Sequence, residues 1–499
     1  MKIYSAALDG LHLTLTQVEA DISRGLPSFK IVGLGDTSIK EARERIRSAL
    51  KNSGFIFPLQ KKVINLSPAD IKKQGSHFDL PITLSMLVFS GQLVCKNPEP
   101  IFCAGELMLS GRLRKIPGIL PATLFAKRKG FKQIFVPYQN RNEAALIKDI
   151  TVYPVKTIKE IALHLEGRKM IAPYEAIANT SMKEFTPDID FEDIYGQEIP
   201  KRVLEIAASG GHHVCLTGPP GTGKTMLSKA YGGILPLLEN EESMEVSMIY
   251  SVAHNQHKHL LPITKRPFRH VHHSTTSATL FGGGNPIQIG EATLAHKGVL
   301  FLDEFAEFSR QTLEELREPL QEGVIRLGRH GRMRKLPASF QLIAAMNPCA
   351  CGYLGDPQKN CQCTPYQIKR YYKKISGPIL DRIDLISEVP RLKSETLKKR
   401  TQAEKSKTIR KRVEETREIQ HKRGKLNNQI AIKEIKSLCK LDAKAEKFIK
   451  AVMENMNLSP RSYLSILKVS RTIADMENSN KVKKQHIAEA VQYKKGFIY

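Results

Sequence analysis

The sequence predicts an α/β fold of several domains, with a parallel sheet that binds a ligand at one edge. The chain has 499 residues, more than one hydrophobic core usually serves, so about three domains are expected. Short apolar strands alternate with helical stretches over residues 188–390, which is typical of a parallel sheet. One of these strands, residues 213–217, runs directly into a glycine-rich loop. A strand, such a loop and a helix in succession favour a phosphate-binding site.

The rest of the chain is organised around this α/β core. The N-terminal part mixes β-branched strands such as residues 61–66 with amphipathic helices such as residues 38–51, and it predicts an α+β domain. A polar stretch that contains Pro173 and ends at Pro187 predicts a linker. The C-terminal part is almost purely helical in pattern. The predicted segments are an α+β domain at 1–165, a linker at 166–187, the α/β core at 188–390 and a helical region at 391–499.

The formal net charge of +27 favours a polyanionic partner, with nucleic acid as the first candidate. A basic surface that binds nothing is the alternative. Asp9 and Gly10 interrupt the first apolar run, which argues against a signal peptide, and no apolar stretch reaches the ~18 residues that span a bilayer. We therefore expect a cytoplasmic protein with no membrane partner. Its eight cysteines are then expected to be free thiols or metal ligands rather than disulfides.

The glycine-rich loop contains the residue types that hold a nucleoside triphosphate. Its glycines let backbone N–H groups turn towards phosphate oxygens, and its lysine adds a positive charge at the β- and γ-phosphates. The threonine that follows the lysine is a ligand for Mg²⁺. The predicted ATP-binding residues of this loop are Gly218, Pro219, Pro220, Gly221, Thr222, Gly223, Lys224 and Thr225.

Two carboxylates follow a second apolar strand, residues 298–302. Because ligands bind at the carboxyl edge of open α/β sheets, Asp303 and Glu304 are expected beside the loop. Asp303 would hold Mg²⁺, and Glu304 would polarise the water that attacks the γ-phosphate. Asn347 follows the strand over residues 340–346 and is expected to orient the same water. An ordinary buried strand capped by surface acids is the less favoured alternative.

Arg382 is the candidate for a catalytic arginine. Hydrolysis requires positive charge on the γ-phosphate in the transition state, and a neighbouring subunit often supplies it as an arginine. Arg382 lies between Asp381 and Asp384 in an otherwise apolar segment. A salt bridge to one of these aspartates is the alternative role.

Half of the cysteines are clustered in a C-x-C-x₉-C-x-C pattern. Four thiolates are the usual ligands of structural zinc, which is tetrahedral. Turn-forming residues between the two pairs, from Gly352 to Pro357, favour a loop that brings the pairs together. Four free thiols and, with less support, an iron–sulfur cluster are the alternatives. The predicted zinc ligands are Cys349, Cys351, Cys361 and Cys363.

A cationic stretch precedes the strand that ends before Asn347. It contains five cations and no acid, and its two glycines, Gly328 and Gly331, predict the tip of a hairpin. Contacts with phosphates would give sequence-independent, salt-sensitive DNA binding, whereas the alternative is a solvated basic hairpin. The predicted DNA contacts are Arg326, Arg329, Arg332, Arg334 and Lys335.

Two further features carry weaker predictions. Residues 281–286 contain three consecutive glycines and predict a mobile loop. Several histidines show no spacing that is typical of a metal site, and we expect them to be strand or surface residues. They are His212, His213, His270, His272 and His273.

These motifs, together with residues 191–197 and 458–461, resemble AAA+ ATPases of the magnesium-chelatase-like group, and nearly the whole chain resembles the ComM/YifB family. The resemblance implies a homohexamer with ATP and Mg²⁺ at subunit interfaces. It implies a helicase that drives branch migration on single-stranded and branched DNA during natural transformation, with recombinase-coated filaments as a further partner. It also implies that Arg382 is the arginine finger, Asn347 the first sensor and Arg461 the second sensor on a helical lid. By the same resemblance, the cationic hairpin and the glycine loop face a central pore.

The N-terminal part resembles the proteolytic domain of Lon proteases, a ribosomal S5 domain 2-like fold. Four short segments between residues 104 and 131 follow that domain's pattern. Lon catalysis needs a serine that a lysine activates. The resemblance places His77 near the nucleophile's position, with Ser76 one residue away, and Leu120 at the position of the lysine. Because Leu120 cannot accept a proton, we expect a catalytically dead domain that serves as an oligomerisation or DNA-binding platform.

An ATP-dependent DNA helicase is therefore the leading functional hypothesis, and two others remain open. A magnesium-chelatase-type motor subunit would share the ATPase site but would not need a cationic hairpin. A ring scaffold locked by ATP would not need the hydrolytic carboxylate of Glu304. The net charge and the hairpin favour DNA, and Glu304 favours hydrolysis.

Overall fold

The computed structural model describes residues 1–175, 189–253, 262–284, 287–329, 332–392, 403–456 and 458–494. Most of the predicted linker, residues 176–187, lies outside this description, and so do residues 285 and 286 of the glycine loop. Residues 330 and 331 at the predicted hairpin tip and the side chains of Arg329 and Arg332 also lie outside it.

Residues 1–175 form one mixed sheet and a separate two-stranded ribbon. The strands are β1 (Ile3–Asp9), β2 (His12–Ser23), β3 (Ser28–Val32), β4 (Lys61–Ser67), β5 (Ile101–Cys103), β6 (Glu106–Leu107), β7 (Leu113–Arg114), β8 (Gln133–Pro137) and β9 (Thr151–Val155). The sheet has the order β3-β4-β2-β1-β5-β8-β9, and β6 pairs with β7 in the ribbon. Strand β2 runs antiparallel to both of its neighbours, while the other pairs in the sheet are parallel. The strand that the sequence predicts at residues 61–66 is thus confirmed as β4.

The helices of this region pack on the sheet through apolar faces. They are α1 (Thr37–Asn52), α2 (Asp79–Phe89), α3 (Ile119–Arg128), α4 (Arg141–Ala144) and α5 (Ile158–Leu165). Helix α1 begins where the Asp36 carboxylate accepts a hydrogen bond from the backbone N–H of Ile39 at 2.9 Å. Ile39, Ile46 and Leu50 are all buried on one side of α1, as the predicted amphipathic helix requires.

The α/β core is built on a five-stranded sheet, and all of its strand pairs are parallel. The strands of this part of the chain are β10 (Val214–Thr217), β11 (Phe268–Val271), β12 (Gly282–Gly283), β13 (Gln288–Ile289), β14 (Val299–Leu302), β15 (Val324–Arg329), β16 (Arg332–Pro337), β17 (Gln341–Met346) and β18 (Leu385–Glu388). The order of the five is β11-β14-β17-β10-β18, whereas β12–β13 and β15–β16 form separate hairpins. This sheet confirms the predicted α/β fold.

Helices cover both faces of the parallel sheet. They are α6 (Glu198–Gly210), α7 (Lys224–Ile234), α8 (Asn240–Val252), α9 (Ser277–Phe281), α10 (Glu291–Leu294), α11 (Arg310–Glu315), α12 (Arg317–Glu322), α13 (Pro365–Tyr372) and α14 (Gly377–Leu380). One hydrophobic cluster on each face uses alternate strand residues, such as Leu216 on one face and Cys215 on the other. Because both faces are covered, the central strand β14 is apolar and buried along its whole length, whereas the edge strand β11 includes Arg269 and His270.

The C-terminal region is helical and packs directly on the α/β core. Its helices are α15 (Ser406–His421), α16 (Ile435–Leu438), α17 (Ala443–Met456), α18 (Pro460–Met476) and α19 (Lys484–Gln492). Ile466 and Ile473 of α18 belong to the same buried cluster as Leu204 of α6. The buried Arg417 side chain donates two hydrogen bonds to the Ala208 carbonyl, which satisfies the end of α6. These contacts hold the helices against the sheet.

The N-terminal region also contacts the α/β core. The Ser251 hydroxyl at the end of α8 donates to the buried carboxylate of Glu143, which also accepts from the backbone N–H of Leu120 at 2.8 Å. The Gly118 N–H donates to the Ser251 carbonyl at 2.9 Å. Burial raises the pKa of Glu143, and its hydrogen bonds oppose that shift. Leu120 therefore lies in an interface with the core, packed in the N-terminal hydrophobic cluster.

Candidate nucleotide site

The phosphate loop, residues 218–225, connects buried strand β10 to helix α7. Gly221 and Gly223 have φ angles of 76° and 93°, which side chains with a Cβ rarely adopt, and Gly223 is the N-cap of α7. The backbone N–H groups of the first turn of α7 therefore lie at the loop, where the helix dipole favours an anion. The nucleotide-binding role of the loop stays a prediction, and this geometry would suit an anion at the start of α7.

Lys224 is held across the loop. Its Nζ donates to the carbonyls of Gly218 and Pro219 at 2.6 and 2.9 Å and to Asn347 Oδ1 at 3.2 Å. Burial lowers the pKa of Lys224 to about 8, and the nearby Asp303 opposes this shift. A buried ammonium group is costly unless negative charge compensates it. Phosphate oxygens of a nucleotide would supply that charge.

The magnesium ligands predicted from the sequence lie together. The Thr225 hydroxyl donates to Asp303 Oδ2 at 3.0 Å. A hydroxyl beside a carboxylate is an oxygen pair that suits Mg²⁺ bridged to phosphates. Parallel pairing brings the two residues together, because β10, β14 and β17 all end at the same edge of the sheet. Asn347 follows β17 at that edge, which explains its contact with Lys224.

Glu304 lies next to Asp303 with a φ of 53°, a backbone conformation that non-glycine residues adopt rarely. Its carboxylate Oε2 is 2.5 Å from His273 Nδ1 and 3.6 Å from His272 Nε2. The ligand atoms of these three residues all lie within 4.8 Å of one another. The two imidazoles therefore lie beside the carboxylate that is predicted to polarise water.

The spacing of these histidines along the chain matches no metal motif, so their place beside Glu304 is not apparent from the sequence. Strand pairing explains their position: Val271 pairs with Leu302, so the two residues after β11 lie alongside the carboxylates after β14. A search for polar residues directly after neighbouring parallel strands would have found them. His212 is buried instead, 3.5 Å from Asp384.

Arg382 lies at the opposite edge of the sheet from the phosphate loop. It precedes β18, whose first residue, Leu385, pairs with Val214 at the start of β10. The four-residue strand β10 separates that end from the loop by about 13 Å. Arg382 is therefore not placed to contact a nucleotide held by its own phosphate loop.

Arg382 lies among several charged groups. Burial lowers the pKa of Arg382, and the charges of Arg461 and Arg317 lower it further, while Asp381 opposes them. The Ser459 and Ser462 hydroxyls of the α18 N-terminus lie 3.4 and 3.5 Å from Asp381 Oδ1. Arg461, on the first turn of α18, is exposed. The charge of Arg461 thus acts on the buried Arg382.

The four predicted zinc ligands form a compact group. The Sγ atom of Cys349 lies 3.3 Å from that of Cys351 and 3.6 Å from that of Cys361, and the last two are 3.5 Å apart. Cys363 completes a set whose sulfur atoms all lie within 4.8 Å of one another. Zinc–sulfur bonds of about 2.3 Å in a tetrahedron put the sulfurs about 3.8 Å apart, so the group fits one ion. Each cysteine of a [4Fe–4S] cluster binds a different iron, and this geometry is too tight for that.

The cysteine cluster lies against the phosphate loop. A Cβ built on Gly352 would lie 3.0 Å from the Pro220 ring, so glycine permits this close approach. The Tyr372 hydroxyl donates to the Pro348 carbonyl at 2.9 Å, and Arg391 pairs with Asp356 at 3.0 Å. The loop between β17 and α13 is thereby fixed beside the nucleotide residues.

The cationic stretch forms the predicted hairpin, which we call the basic hairpin (β15 and β16). Gly328 pairs with Met333 inside the ladder, one pair before Arg329 and Arg332, so Gly328 is not at the tip. Both terminal nitrogens of Arg326 are taken by Glu318 and Glu322, a different role from the predicted phosphate contact. Arg334 Nε donates to Asp9 Oδ2 of the N-terminal region at 2.7 Å. Lys335 is exposed.

Comparisons with known proteins agree with this architecture. Family descriptions match along most of the chain: "Magnesium chelatase, subunit ChlI" at 190–397, "Subunit ChlI of Mg-chelatase" at 18–140 and "Magnesium chelatase, subunit ChlI C-terminal" at 403–494. Competence protein ComM of Haemophilus influenzae is 40% identical over 497 residues, which cover 99% of this chain and 97% of that protein. The uncharacterized protein YifB of Escherichia coli is 41% identical over 498 residues, 99% of this chain and 96% of its own length.

This chain belongs to the ComM/YifB family of magnesium-chelatase-like AAA+ proteins. Similarity to magnesium chelatase itself is more limited. The magnesium-chelatase 67 kDa subunit of Chlorobaculum parvum is 27% identical over 164 residues, only 32% of this chain. Among the described residues, no helix is long and apolar enough to cross a membrane.

The similarity to ComM extends through the N-terminal region, and the description "Subunit ChlI of Mg-chelatase" matches residues 18–140 within it. In this region the Ser76 hydroxyl donates to Glu106, and His77 Nε2 lies 2.9 Å from the Ala6 carbonyl oxygen. Burial lowers the pKa of His77 to about 4. The side chain of Leu120 is fully buried. Ser76 and His77 are thus half-buried and engaged in contacts within this region, whereas Leu120 is part of its apolar interior.

Proposed function

We propose that this ComM/YifB-family chain is an ATP-dependent DNA helicase that promotes branch migration of recombination intermediates during natural transformation. The observation that carries the proposal is the assembly of Lys224, Thr225, Asp303 and Glu304 at one sheet edge, in a chain that also presents a basic hairpin. The link to transformation is supported by the 40% identical relative from Haemophilus influenzae, which is named as a competence protein. ATP and Mg²⁺ are the proposed cofactors.

In this proposal the active site forms between subunits of a hexamer. Lys224, the phosphate loop and Asp303 hold Mg-ATP, while Glu304 and Asn347 position the attacking water. Arg382 precedes β18 at the end of the sheet opposite the phosphate loop, and the charge of Arg461 acts on it, so both arginines would act on the nucleotide of the next subunit. Charge on the γ-phosphate in the transition state would then be stabilised only when the ring is assembled.

DNA contacts are proposed for Arg329, Arg332 and Lys335 of the basic hairpin, and for Arg334 once it leaves Asp9. Contacts of this kind are made with phosphates and are independent of sequence. Single-stranded and branched DNA are the proposed substrates, with recombinase-coated filaments as a further partner. The N-terminal region is proposed to be an inactive Lon-like platform for assembly or DNA.

Zinc in the cysteine cluster is proposed as a structural cofactor. It would fix the loop that carries Asn347 at one end and contacts Pro220 of the phosphate loop. Its role is therefore to hold the water-orienting side chain and not to take part in the reaction.

The experiment that tests the proposal measures ATP hydrolysis with and without forked DNA over a salt series, alongside branch migration of a Holliday junction. A helicase predicts hydrolysis that DNA stimulates at low salt and progressively less as salt rises. Hydrolysis that no DNA structure stimulates at low salt, with no strand movement, would contradict it. Hydrolysis without any DNA effect would instead favour a chelatase-type motor.

A further inference from the structure

Helix α12 lies between Arg382 and the basic hairpin. It has six residues, Arg317–Glu322, and follows α11 after the single residue Leu316. Leu316 and Pro319 are buried, and Leu320 packs against the same hydrophobic cluster. The helix is therefore anchored on one side, while its polar side chains point towards two functional elements.

The first polar contact of α12 is with Arg382. One terminal nitrogen of Arg382 donates to Gln321 Oε1, and the other donates to the Pro378 carbonyl at 2.7 Å. Arg382 Nε is buried and has no hydrogen-bond partner among the described residues. Arg317 lies one helical turn before Gln321, on the same face of α12, and its charge acts on Arg382. A movement of Arg382 would thus change its hydrogen bond to Gln321 and so displace α12.

The second polar contact of α12 is with the base of the basic hairpin. Glu318 accepts from the guanidinium of Arg326 and, at 3.2 Å, from its backbone N–H, and Glu322 accepts from the other terminal nitrogen. Glu318 and Glu322 are four residues apart, so they form one face of the helix. Hydrogen bonds to these two carboxylates raise the pKa of Arg326.

A short connection completes the link. The helix ends at Gly323, whose φ is 66°, and β15 begins at the next residue. The Ala338 N–H donates to the Gly323 carbonyl at 2.7 Å, which closes the hairpin base. Gly323 at the end of the helix is therefore joined to β15 by the chain and to the residue after β16 by a hydrogen bond.

We propose that α12 is the element that connects the arginine finger to the basic hairpin, with Gln321 and Arg326 as its two positioning residues. This inference rests on the proposed function. When a neighbouring γ-phosphate is cleaved, Arg382 loses its partner and shifts, and α12 carries the shift to the hairpin as a rigid unit. Arg326 then serves as a tie to Glu318 and Glu322 and makes no contact with DNA phosphates.

The test compares Arg326→Gln with Lys335→Gln, a matched removal of one charge from the paired strand. We expect Arg326→Gln to keep basal ATP hydrolysis and DNA affinity within about twofold, with the salt slope unchanged, but to lower DNA stimulation of hydrolysis about tenfold. Lys335→Gln is expected to weaken DNA binding and reduce the salt slope by about 0.9. If Arg326→Gln behaves like Lys335→Gln, Arg326 is a phosphate contact and the proposed link is wrong.

A charge-reversed variant separates the tie from a general loss of structure. Arg326→Glu is combined with Glu318→Lys and Glu322→Lys, which restores both ion pairs with opposite polarity. We expect DNA stimulation to recover at least partly in the triple variant relative to Arg326→Glu alone. Failure to recover in a folded triple variant contradicts the proposal.

Hydrogen exchange of the hairpin amides measures the proposed link between Arg382 and the hairpin without DNA present. In the wild type, exchange in β15 is expected to differ between ATP-bound Glu304→Gln protein and the ADP state, and Arg326→Gln is expected to abolish the difference. If the protein binds no DNA but this difference persists, the helicase function fails while the link stands. If DNA binds and the wild type shows no difference, the link fails while the helicase function stands.

Discussion

Glu304 lies beside the two imidazoles of His272 and His273 and adopts a left-handed backbone conformation. A non-glycine residue in that region costs energy and is kept where surrounding structure requires it. At this position the Glu304 carboxylate lies with His272 and His273, and the backbone N–H of Glu304 donates to Asp303 Oδ1 at 2.9 Å. Side chains of the nucleotide site thus come together from separate strands, as the contacts of Lys224 with Asn347 and of Thr225 with Asp303 also show.

Replacing Glu304 with glutamine is expected to lower the rate of ATP hydrolysis by about 10²–10⁴-fold while ATP binding is kept, because the amide cannot accept the water proton. Turnover is measured as phosphate release, and ATP affinity by titration calorimetry. The control is Glu307→Gln, the same substitution three residues away, where the carboxylate pairs with Lys374 at 2.8 Å. Equal hydrolysis by the two variants would remove Glu304 from the reaction.

Replacing Asp9 with asparagine is expected to strengthen DNA binding. The change releases Arg334, which Asp9 holds at 2.7 Å, and one more phosphate contact would steepen the salt dependence by about 0.9 in log–log slope. Fluorescence anisotropy of labelled forked DNA between low and moderate salt measures both quantities. Asp21→Asn, an exposed aspartate on β2 of the same region, is the matched control. No difference between the two variants would mean that Arg334 does not reach DNA.

At the scale of elements, the loop between β17 and α13 brings together two cysteine pairs that are separated in the sequence. Its two cysteine pairs are separated by turn residues, and the sequence predicted that they meet. The spacing alone did not reveal that the loop packs on Pro220. That contact depends on the β17–β10 pairing, which brings the two loops to one edge of the sheet.

Loss of metal from the cysteine cluster is expected to reduce ATP hydrolysis through this contact. Cys351→Ser should bind less than one zinc per chain and lower turnover about tenfold, since outer positioning residues commonly contribute at that level. Zinc content is measured by atomic absorption, and turnover by phosphate release. Cys95→Ser, which changes a half-buried free thiol outside the cluster, is the control. Full zinc content or unchanged turnover in Cys351→Ser would contradict a structural zinc at this loop.

The basic hairpin is an element that the sequence predicted, but its side-chain contacts were not predicted. The sequence predicted the basic hairpin correctly, because the pairing of two adjacent strands depends on residues that are close in the chain. It treated all five cations as equivalent. The structure separates them: Arg326 binds acids of α12 and Arg334 binds Asp9, partners that are 4 to 325 residues away in sequence.

At the scale of the whole molecule, the placement of Arg382 bears on the proposed ring. Its edge of the sheet is opposite the phosphate loop, so one chain by itself does not contain a complete set of predicted hydrolytic residues at one place. Heterologous contacts that repeat around a ring would join the two edges. Catalysis would then depend on subunit concentration.

Mixing two inactive variants tests this arrangement. Lys224→Ala removes the phosphate-loop charge and Arg382→Ala removes the finger, so each homogeneous ring is expected to be inactive. Mixed rings contain about a quarter of interfaces with both groups intact, and we expect hydrolysis to reappear on mixing. Wild-type oligomer size on a sizing column is the control for assembly. If mixing restores no hydrolysis although mixed rings form, Arg382 acts within its own chain or not at all.

The sequence by itself determined the α/β core, the phosphate loop, the carboxylates after β14 and the cysteine pairs, because each depends on residues that are close in the chain. Only the tertiary structure decided which side chains meet across elements. It brought His272 and His273 to Glu304, tied Arg326 to α12 and Arg334 to Asp9, and put Arg382 far from the phosphate loop. The physical reason is that parallel strand order and domain packing join distant segments, and no local pattern of residues specifies these contacts.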